Sequence, residues 1–370
     1  MNKIEKIETI PIRVPLDRVY RGSYYEMQSR CTIITRVHTA NGVVGEIYNA
    51  DSDSEQVEIL HIIQDELAPA LIGRDASNIE GAWEAMQFST WDQLRDRRLA
   101  MQAIASIDSA LWDAFGKGVK VPLYKLWGGY RDKMPVIGIG GYYGHDDDQL
   151  REEARFFMEQ GFSGMKFKIG ARTPEEDERR VRVVRDFAGP DFIIMCDANQ
   201  GYTTREAIEF GKRVADIGLR WFEEPCRWSN DRRGMKDVRA MTGIPVAAGQ
   251  SEYSRLGARD LIVDGAIDVC NFDASWGGGP TEWRRVAGLA ANFDVQMGHH
   301  EEAQLSFHLL AAIAHGTYVE AFSIQRDPIF WHMLANRPTK GAGGFALPRG
   351  GGFGWELDAA FIKKYRVDAG

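Results

Sequence analysis

The sequence predicts an α/β protein, a small α+β unit followed by a parallel β/α barrel. Three observations lead there. From Lys3 to Glu46 short apolar pieces alternate with turn residues, the next stretch takes helical periodicity, and from residue 129 onward eight short apolar runs interleave with charged helical stretches.

In the first part IETIPIRV, CTIITRVHT and GVVGEIY read as a small antiparallel sheet, with Asn41-Gly42 the clearest hairpin turn. From about Ser54 to Gly118 apolar residues recur at three and four, in SEQVEILHIIQDELAPALIG and then in RRLAMQAIASIDSALWDAFGKG, with a glycine near the end. The eight later runs are PVIGIG, MKFKI, FIIMCDAN, RWFEEP, IPVAAG, IDVCNFD, FDVQMGHH and TYVEAF, separated by stretches such as REEARFFMEQG. A doubly wound open sheet competes, but no GxGxxG follows the first strand, and WGGGP and RGGGFG fall late in the chain. The tail from about Asn336 is rich in Gly and Pro and offers FGWELD as a strand expected to pack back on the first unit. The expected boundaries are 1–128 for the α+β unit, 129–335 for the barrel and 336–370 for the returning segment. The aromatic segment DPIFWHML reads as an interface or a lid.

Composition excludes several classes. With 370 residues, 44% hydrophobic and 26% charged, the chain can bury a sizeable core and is not a disordered one. Its net charge of -8, with no basic run, argues against nucleic acid as a partner. Cys31, Cys196, Cys226 and Cys270 lack CxxC spacing and read as core thiols of a reducing compartment. The N-terminal MNKIEKIETIPIRVPL has no signal-peptide apolar region, and no stretch approaches the roughly 18 apolar residues of a membrane span. A cytoplasmic protein with no membrane partner is expected.

The chemistry gathers at the ends of the strands, where a barrel builds its active site. In MKFKI, alternation puts Met165, Phe167 and Ile169 on one face and Lys166 and Lys168 on the other. Two neighbouring lysines can depress each other towards a general base, while a solvated edge strand is the plainer reading. The next three strands end in oxygen donors: Asp197 and Asn199, Glu223 and Glu224, then Gln250 and Glu252. Carboxylates converging on one barrel mouth suit a hard divalent cation, with Mg²⁺ the natural choice. The last strands add Asp273, His300 and Glu320; an Asp on one strand and a His on the next can form a dyad that fixes the imidazole tautomer. His299 is the weaker partner, because adjacent residues at a strand end point to opposite sides.

In order and spacing these residues resemble the enolase superfamily, mandelate racemase subgroup, as does IASIDSALWDAFGKGVKVPLYKLWGG, which is similar to that family's junction between capping domain and barrel. The resemblance implies a modified TIM barrel, (β/α)7β, with an N-terminal α+β capping domain completed by the C-terminal tail. It implies Lys168 as the base on one face of the substrate, with Lys166 beside it, and Asp273 with His300 as the acid or base on the other. It implies Asp197 and Glu223 as ligands of one Mg²⁺ per subunit, Asn199 as a substrate contact, and Glu320 as a hydrogen-bonding acid for an enediolate. This sequence departs where a Glu is usual after the fifth strand: Gln250 follows Gly249. Glu252, two residues on, would share that face in an extended strand and is the favoured third ligand, with Gln250 the alternative.

The expected reaction is Mg²⁺-dependent removal of the proton α to a carboxylate, most simply dehydration of an aldonate or aldarate to a 2-keto-3-deoxy acid. Racemisation or epimerisation of a related carboxylate is the alternative, and a non-catalytic family member the second. Specificity is expected from the loop at 19–25, where Arg21 suits a distal carboxylate, and from Tyr48 and Asn49 in a second loop. The resemblance also implies a homo-oligomer of even order.

Overall fold

The computed structural model describes residues 2–49 and 55–367; Ser54, where the first helical stretch was expected to begin, lies outside them. Strands β1 (Ile4–Arg21), β2 (Glu26–Thr39) and β3 (Val44–Asn49) form an antiparallel sheet in that order. The β2–β3 turn falls at the expected place: Gly42 takes φ 80°, a conformation only glycine adopts freely, and its amide donates to Thr39 O at 2.8 Å. Apolar alternation buries Ile10, Ile12 and Val14 of β1 and exposes Arg13.

Helical turns from Gln56 to Leu71 cover this sheet, the long helix Arg97–Val119 packs on β2 and β3, and a helix at Ile79–Met86 packs against that long helix. The Asp96 carboxylate caps its start by accepting from the Arg98 amide, and it stops at Lys120, a left-handed residue, not at Gly118. Asp108 on this helix is fully buried and accepts from the Thr281 amide at 2.9 Å and the Thr281 hydroxyl at 2.7 Å. Those bonds fasten the capping unit to the first turn of a barrel helix, Gly279–Ala291.

β4 (Lys133–Met134) precedes eight parallel strands: β5 (Val136–Gly140), β6 (Gly164–Lys168), β7 (Ile193–Asp197), β8 (Phe222–Glu223), β9 (Val246–Ala248), β10 (Val269–Cys270), β11 (Gln296–Met297) and β12 (Val319–Phe322). Each predicted run supplies one of them. They run in order β11-β10-β9-β8-β7-β6-β5-β12. The ring closes where the Met297 amide donates to His315 O and the Thr317 amide to Met297 O, both at 2.9 Å. Seven helices separate the eight strands, from Asp147–Gln160 to Ala303–Ala312, which is the (β/α)7β arrangement. Inward-facing Ile137, Met195, Trp221, Ala247 and Val269 fill the barrel one layer before the charged strand ends.

The tail differs in detail from expectation. Its strands are β13 (Lys340–Gly341) and β14 (Gly344–Ala346), a hairpin whose β14 pairs with β4, whereas FGWELD is irregular, its extended course broken at Gly354, φ 68°. The Phe353 amide donates to Asp113 Oδ1 on the long helix, Trp355 Nε1 donates to Gln304 O, and the Val367 amide reaches Pro11 O on β1. In the 327–334 segment Ile329, Phe330, Trp331 and Met333 are buried in the core of this chain. All four cysteines are free and buried, and no helix among the described residues is long and apolar enough to cross a membrane.

Candidate active site

Lys166 and Lys168 point into the barrel because Met165 and Phe167 occupy the other face of β6 and join the core under the helices. In register Lys168 stands beside Asp197, and Asp197 beside Glu223. Lys166 Nζ lies 2.6 Å from Glu223 Oε1, 2.6 Å from Glu320 Oε1 and 3.8 Å from Asp197 Oδ2. Lys168 Nζ donates to Asp197 Oδ2 at 2.7 Å. Trp221 Nε1 holds Glu223 Oε2 at 3.0 Å, and the Glu301 amide holds Glu320 Oε2 at 2.9 Å. The lysines are 0% and 1% exposed, which excludes the solvated-edge reading.

Mutual depression of the two lysines is overruled in this state. Burial pushes each down, but Glu223, Glu320 and Asp197 outweigh it at Lys166, and Asp197 does so at Lys168, so both ammoniums are held above the ordinary lysine range. Among the carboxylates, burial opposes ionisation of Asp197, yet the two lysines keep it below the usual range.

A second group stands after β10 and β11. His300 Nδ1 donates to Asp273 Oδ2 at 3.0 Å, and Asp273 Oδ1 accepts from the Ser275 amide and hydroxyl, both at 2.7 Å. The Trp276 ring centroid lies 4.9 Å from that of His300. Burial opposes protonation of His300, but Glu301 and Asp273 outweigh it and hold the imidazole well above its ordinary value. His299 turns away: Nδ1 donates to His300 O at 2.8 Å and Nε2 accepts from the Ala274 amide at 3.0 Å, a packed core histidine beside Trp283.

One cavity of about 730 Å³ joins these groups. From the barrel it is lined by Lys168, Asn199, Gln250, Trp276, His300 and Glu301. From the capping unit Arg13, Tyr25, Met27, Glu55 and Arg98 close over it. Ser23 Oγ, 2.7 Å from the carbonyl oxygens of Ile169 and Ala198, seats the 22–25 loop on the ends of β6 and β7.

Four expected residues fall elsewhere. Glu252 does not reach this cavity, because the strand does not stay extended: Gly249 takes φ 139°, the Glu252 amide donates back to Gly249 O at 3.1 Å, and the side chain turns outward towards Gly257 and Arg232. Gln250 is the residue that faces in. Arg21 is spent on Glu26 across the β1–β2 pair, Nε to Oε1 2.7 Å, and half exposed outside the cavity. Tyr48 is not in a loop but in β3, fully buried, while Asn49 donates to Ala105 O and Ser109 Oγ as a packing residue.

Sequence reasoning missed Arg13, Trp276, Arg98 and Glu301, whereas Tyr25 ends the 19–25 segment expected to face substrate. Arg13 carried a signal, as the polar member between Ile12 and Val14; Trp276 another, three residues after Asp273.

The donor set suits a small hard cation. Asp197 and Glu223 supply two carboxylates, and the buried Oδ1 of Asn199 accepts no hydrogen bond from the described residues, while its Nδ2 donates to Asp197 Oδ2 at 3.1 Å. Gln250 contributes a second amide at the same mouth. Among the described residues no three His, Cys, Asp or Glu side chains gather as a metal-holding group, and the candidate donors are two carboxylates with these amides. Mg²⁺ takes such ligands, keeping several waters.

Comparison with known proteins agrees with this geometry. Residues 7–128 match the mandelate racemase / muconate lactonizing enzyme N-terminal domain, and residues 149–361 match the enolase C-terminal domain-like family. The chain is 34% identical over 263 residues to arabinonate dehydratase of Saccharolobus solfataricus, covering 70% of this chain and 69% of that one. It is 30% identical over 319 residues to 3,6-anhydro-alpha-L-galactonate cycloisomerase of Streptomyces coelicolor, covering 86% and 88%. A mandelate racemase/muconate lactonizing enzyme from a marine actinobacterium, solved in complex with magnesium, superposes with a TM-score of 0.94 at 49% identity over the whole of both chains. The capping sheet and the (β/α)7β barrel are thus those of a family, and this chain belongs to the enolase superfamily, in its mandelate racemase subgroup.

Proposed function

We propose that this protein removes the proton α to the carboxylate of an acid sugar, an aldonate or aldarate, in a Mg²⁺-dependent reaction, and expels the β-hydroxyl to leave a 2-keto-3-deoxy acid. The observation that carries the reading is that Lys168 and His300, two groups able to move a proton, line one cavity from different strand ends, with the buried Lys166–Glu320 pair alongside. The dehydratase among the relatives supports the choice of outcome.

Mg²⁺, held by Asp197 and Glu223 with the amide oxygens of Asn199 and Gln250, would supply positive charge to the substrate carboxylate as negative charge develops on it. The Asp197 carboxylate that holds the Lys168 proton is one of those ligands, so sharing it weakens the grip on that proton. Lys168 Nζ, as the free amine, takes the α-proton, and the C–H electron pair moves towards the carboxylate to give an enediolate. The Lys166 ammonium, held by Glu320, hydrogen-bonds its oxygens. His300 gives its Nε2 proton to the β-hydroxyl as the C–O bond breaks, water leaves, and the resulting enol loses its hydroxyl proton to solvent and gains one from solvent at the β-carbon to become the ketone. Asp273 steadies the imidazolium until that transfer and keeps the Nδ1 proton in place after it.

The test is proton NMR in D₂O with Mg²⁺ against a panel of mono- and diacid sugars. A new 3-deoxy methylene identifies the dehydratase and its substrate. Exchange or inversion at the α-carbon without it replaces dehydration by racemisation or epimerisation, which the same two groups would serve. Silence across the panel, with no Mg²⁺ binding by calorimetry, overturns the catalytic reading.

A further inference from the structure

We propose that Glu301 is a positioning residue of this site, clamping the His300 ring at Nε2 opposite Asp273 and committing His300 to the acid role. The inference rests on the proton-transfer reading above.

Glu301 Oε1 lies 3.3 Å from His300 Nε2, and Asp273 Oδ2 lies 3.0 Å from Nδ1. An ionised carboxylate only accepts hydrogen bonds, so a ring facing one at each nitrogen carries a proton on both. Such a ring donates a proton and cannot take one. The α-proton then falls to Lys168, and the configuration accepted is the one that turns that hydrogen to the Lys168 side.

The placement of Glu301 is over-determined. It and Glu302 take φ 46° and 38°, left-handed values that side chains other than glycine rarely adopt. The Glu301 amide is anchored on Glu320 Oε2 at 2.9 Å, and Glu302 Oε1 is anchored by Arg30 Nη2 at 2.7 Å. The turn thrusts the Glu301 carboxylate into the cavity it lines and links the Lys166–Glu320 pair to His300.

Asp273 and Glu301 touch the His300 ring, while His299 and Glu224 act on it by charge from neighbouring strand ends. Glu301 itself faces Arg326 and Arg30, and its charge is felt at Lys168 and Tyr142. Neither Asp273 nor Glu301 belongs to the candidate cation donors, so the clamp does not compete with Mg²⁺.

The experiment follows the histidine ring nitrogens by long-range ¹H–¹⁵N NMR in Mg²⁺ buffer, with H300N assigning the signal. The expected result is a wild-type His300 imidazolium at pH 7, titrating in E301Q lower by about one to two pH units, with the charge-keeping E301D close to wild type. On a turned-over acid sugar, the basic limb of kcat in E301Q moves down equally while KM changes by less than about threefold. A neutral His300 ring at pH 7 in the wild type overturns the clamp, whether or not E301Q folds, and so does an E301Q titration that coincides with wild type. The ring spectra need no substrate, so failure of the sugar panel removes the proposed reaction without deciding the clamp.

Discussion

Asp273 divides its carboxylate, Oδ2 taking the His300 Nδ1 proton at 3.0 Å while Oδ1 is fixed by the Ser275 amide and hydroxyl. The carboxylate therefore cannot rotate away from the ring, and the Nε2 edge is turned towards Glu301 and the cavity. D273N keeps the shape but loses the charge, and turnover should fall by about 10²-fold or more with an unchanged circular dichroism spectrum. A variant retaining over half of wild-type turnover would show that His300 needs no orienting partner.

The two proton-transfer groups separate by isotope exchange. K168A should lose both α-proton exchange in D₂O and dehydration, each by about 10²–10⁴-fold, whereas H300N should keep exchange and lose dehydration. NMR of the α-proton and the methylene in the same tube reads both. The opposite pattern would reverse the direction of proton flow.

At the proposed cation site Gln250 faces into the cavity and Glu252 faces out. Q250E should tighten Mg²⁺ binding by about tenfold through the added charge, and E252Q should leave it unchanged, both by calorimetry. Weaker Mg²⁺ binding in E252Q would return Glu252 to the ligand set.

His308 supplies a pH dependence of stability away from the cavity. Burial among Tyr124, Phe353 and Trp355 pushes its imidazole down to about 3, and Nδ1 accepts the Tyr124 amide proton at 3.2 Å. Between the unfolded value near 6.5 and the folded one, the unfolded chain binds the extra proton, so stability is full above about pH 6.5 and falls as pH drops towards 3. From pH 7 to 4.5 this group alone should remove about 2–3 kcal/mol. H308L, less stable at pH 7, should lose that much less over the same interval in urea titrations. Equal losses in both proteins would remove His308 as the cause.

Much of the site was legible because its residues stand on strands. Alternation in MKFKI places both lysines on one face whatever surrounds them, and the acidic ends of β7 and β8 follow the same rule. The rule breaks where the backbone turns. Glu252 was assigned by extending β9 past its end, and the turn at Gly249 sends it outward. FGWELD had the alternation of a strand, yet Phe353 and Trp355 bury themselves against the long helix and the Ala303–Ala312 helix.

By itself the sequence determined the order of elements, the barrel grammar and the charged strand ends, since periodicity of two and of 3.6 is written in neighbouring residues. Tertiary structure alone decided which of Gln250 and Glu252 faces the cavity, that Arg21 is spent on Glu26 while Arg13, Tyr25 and Arg98 line the cavity, and that Glu301 meets the His300 ring. Each of those depends on a turn or an interface whose hydrogen bonds join residues far apart in the chain, such as Thr281 to Asp108 or Ser23 to Ala198, and exist only once the capping unit is seated on the barrel.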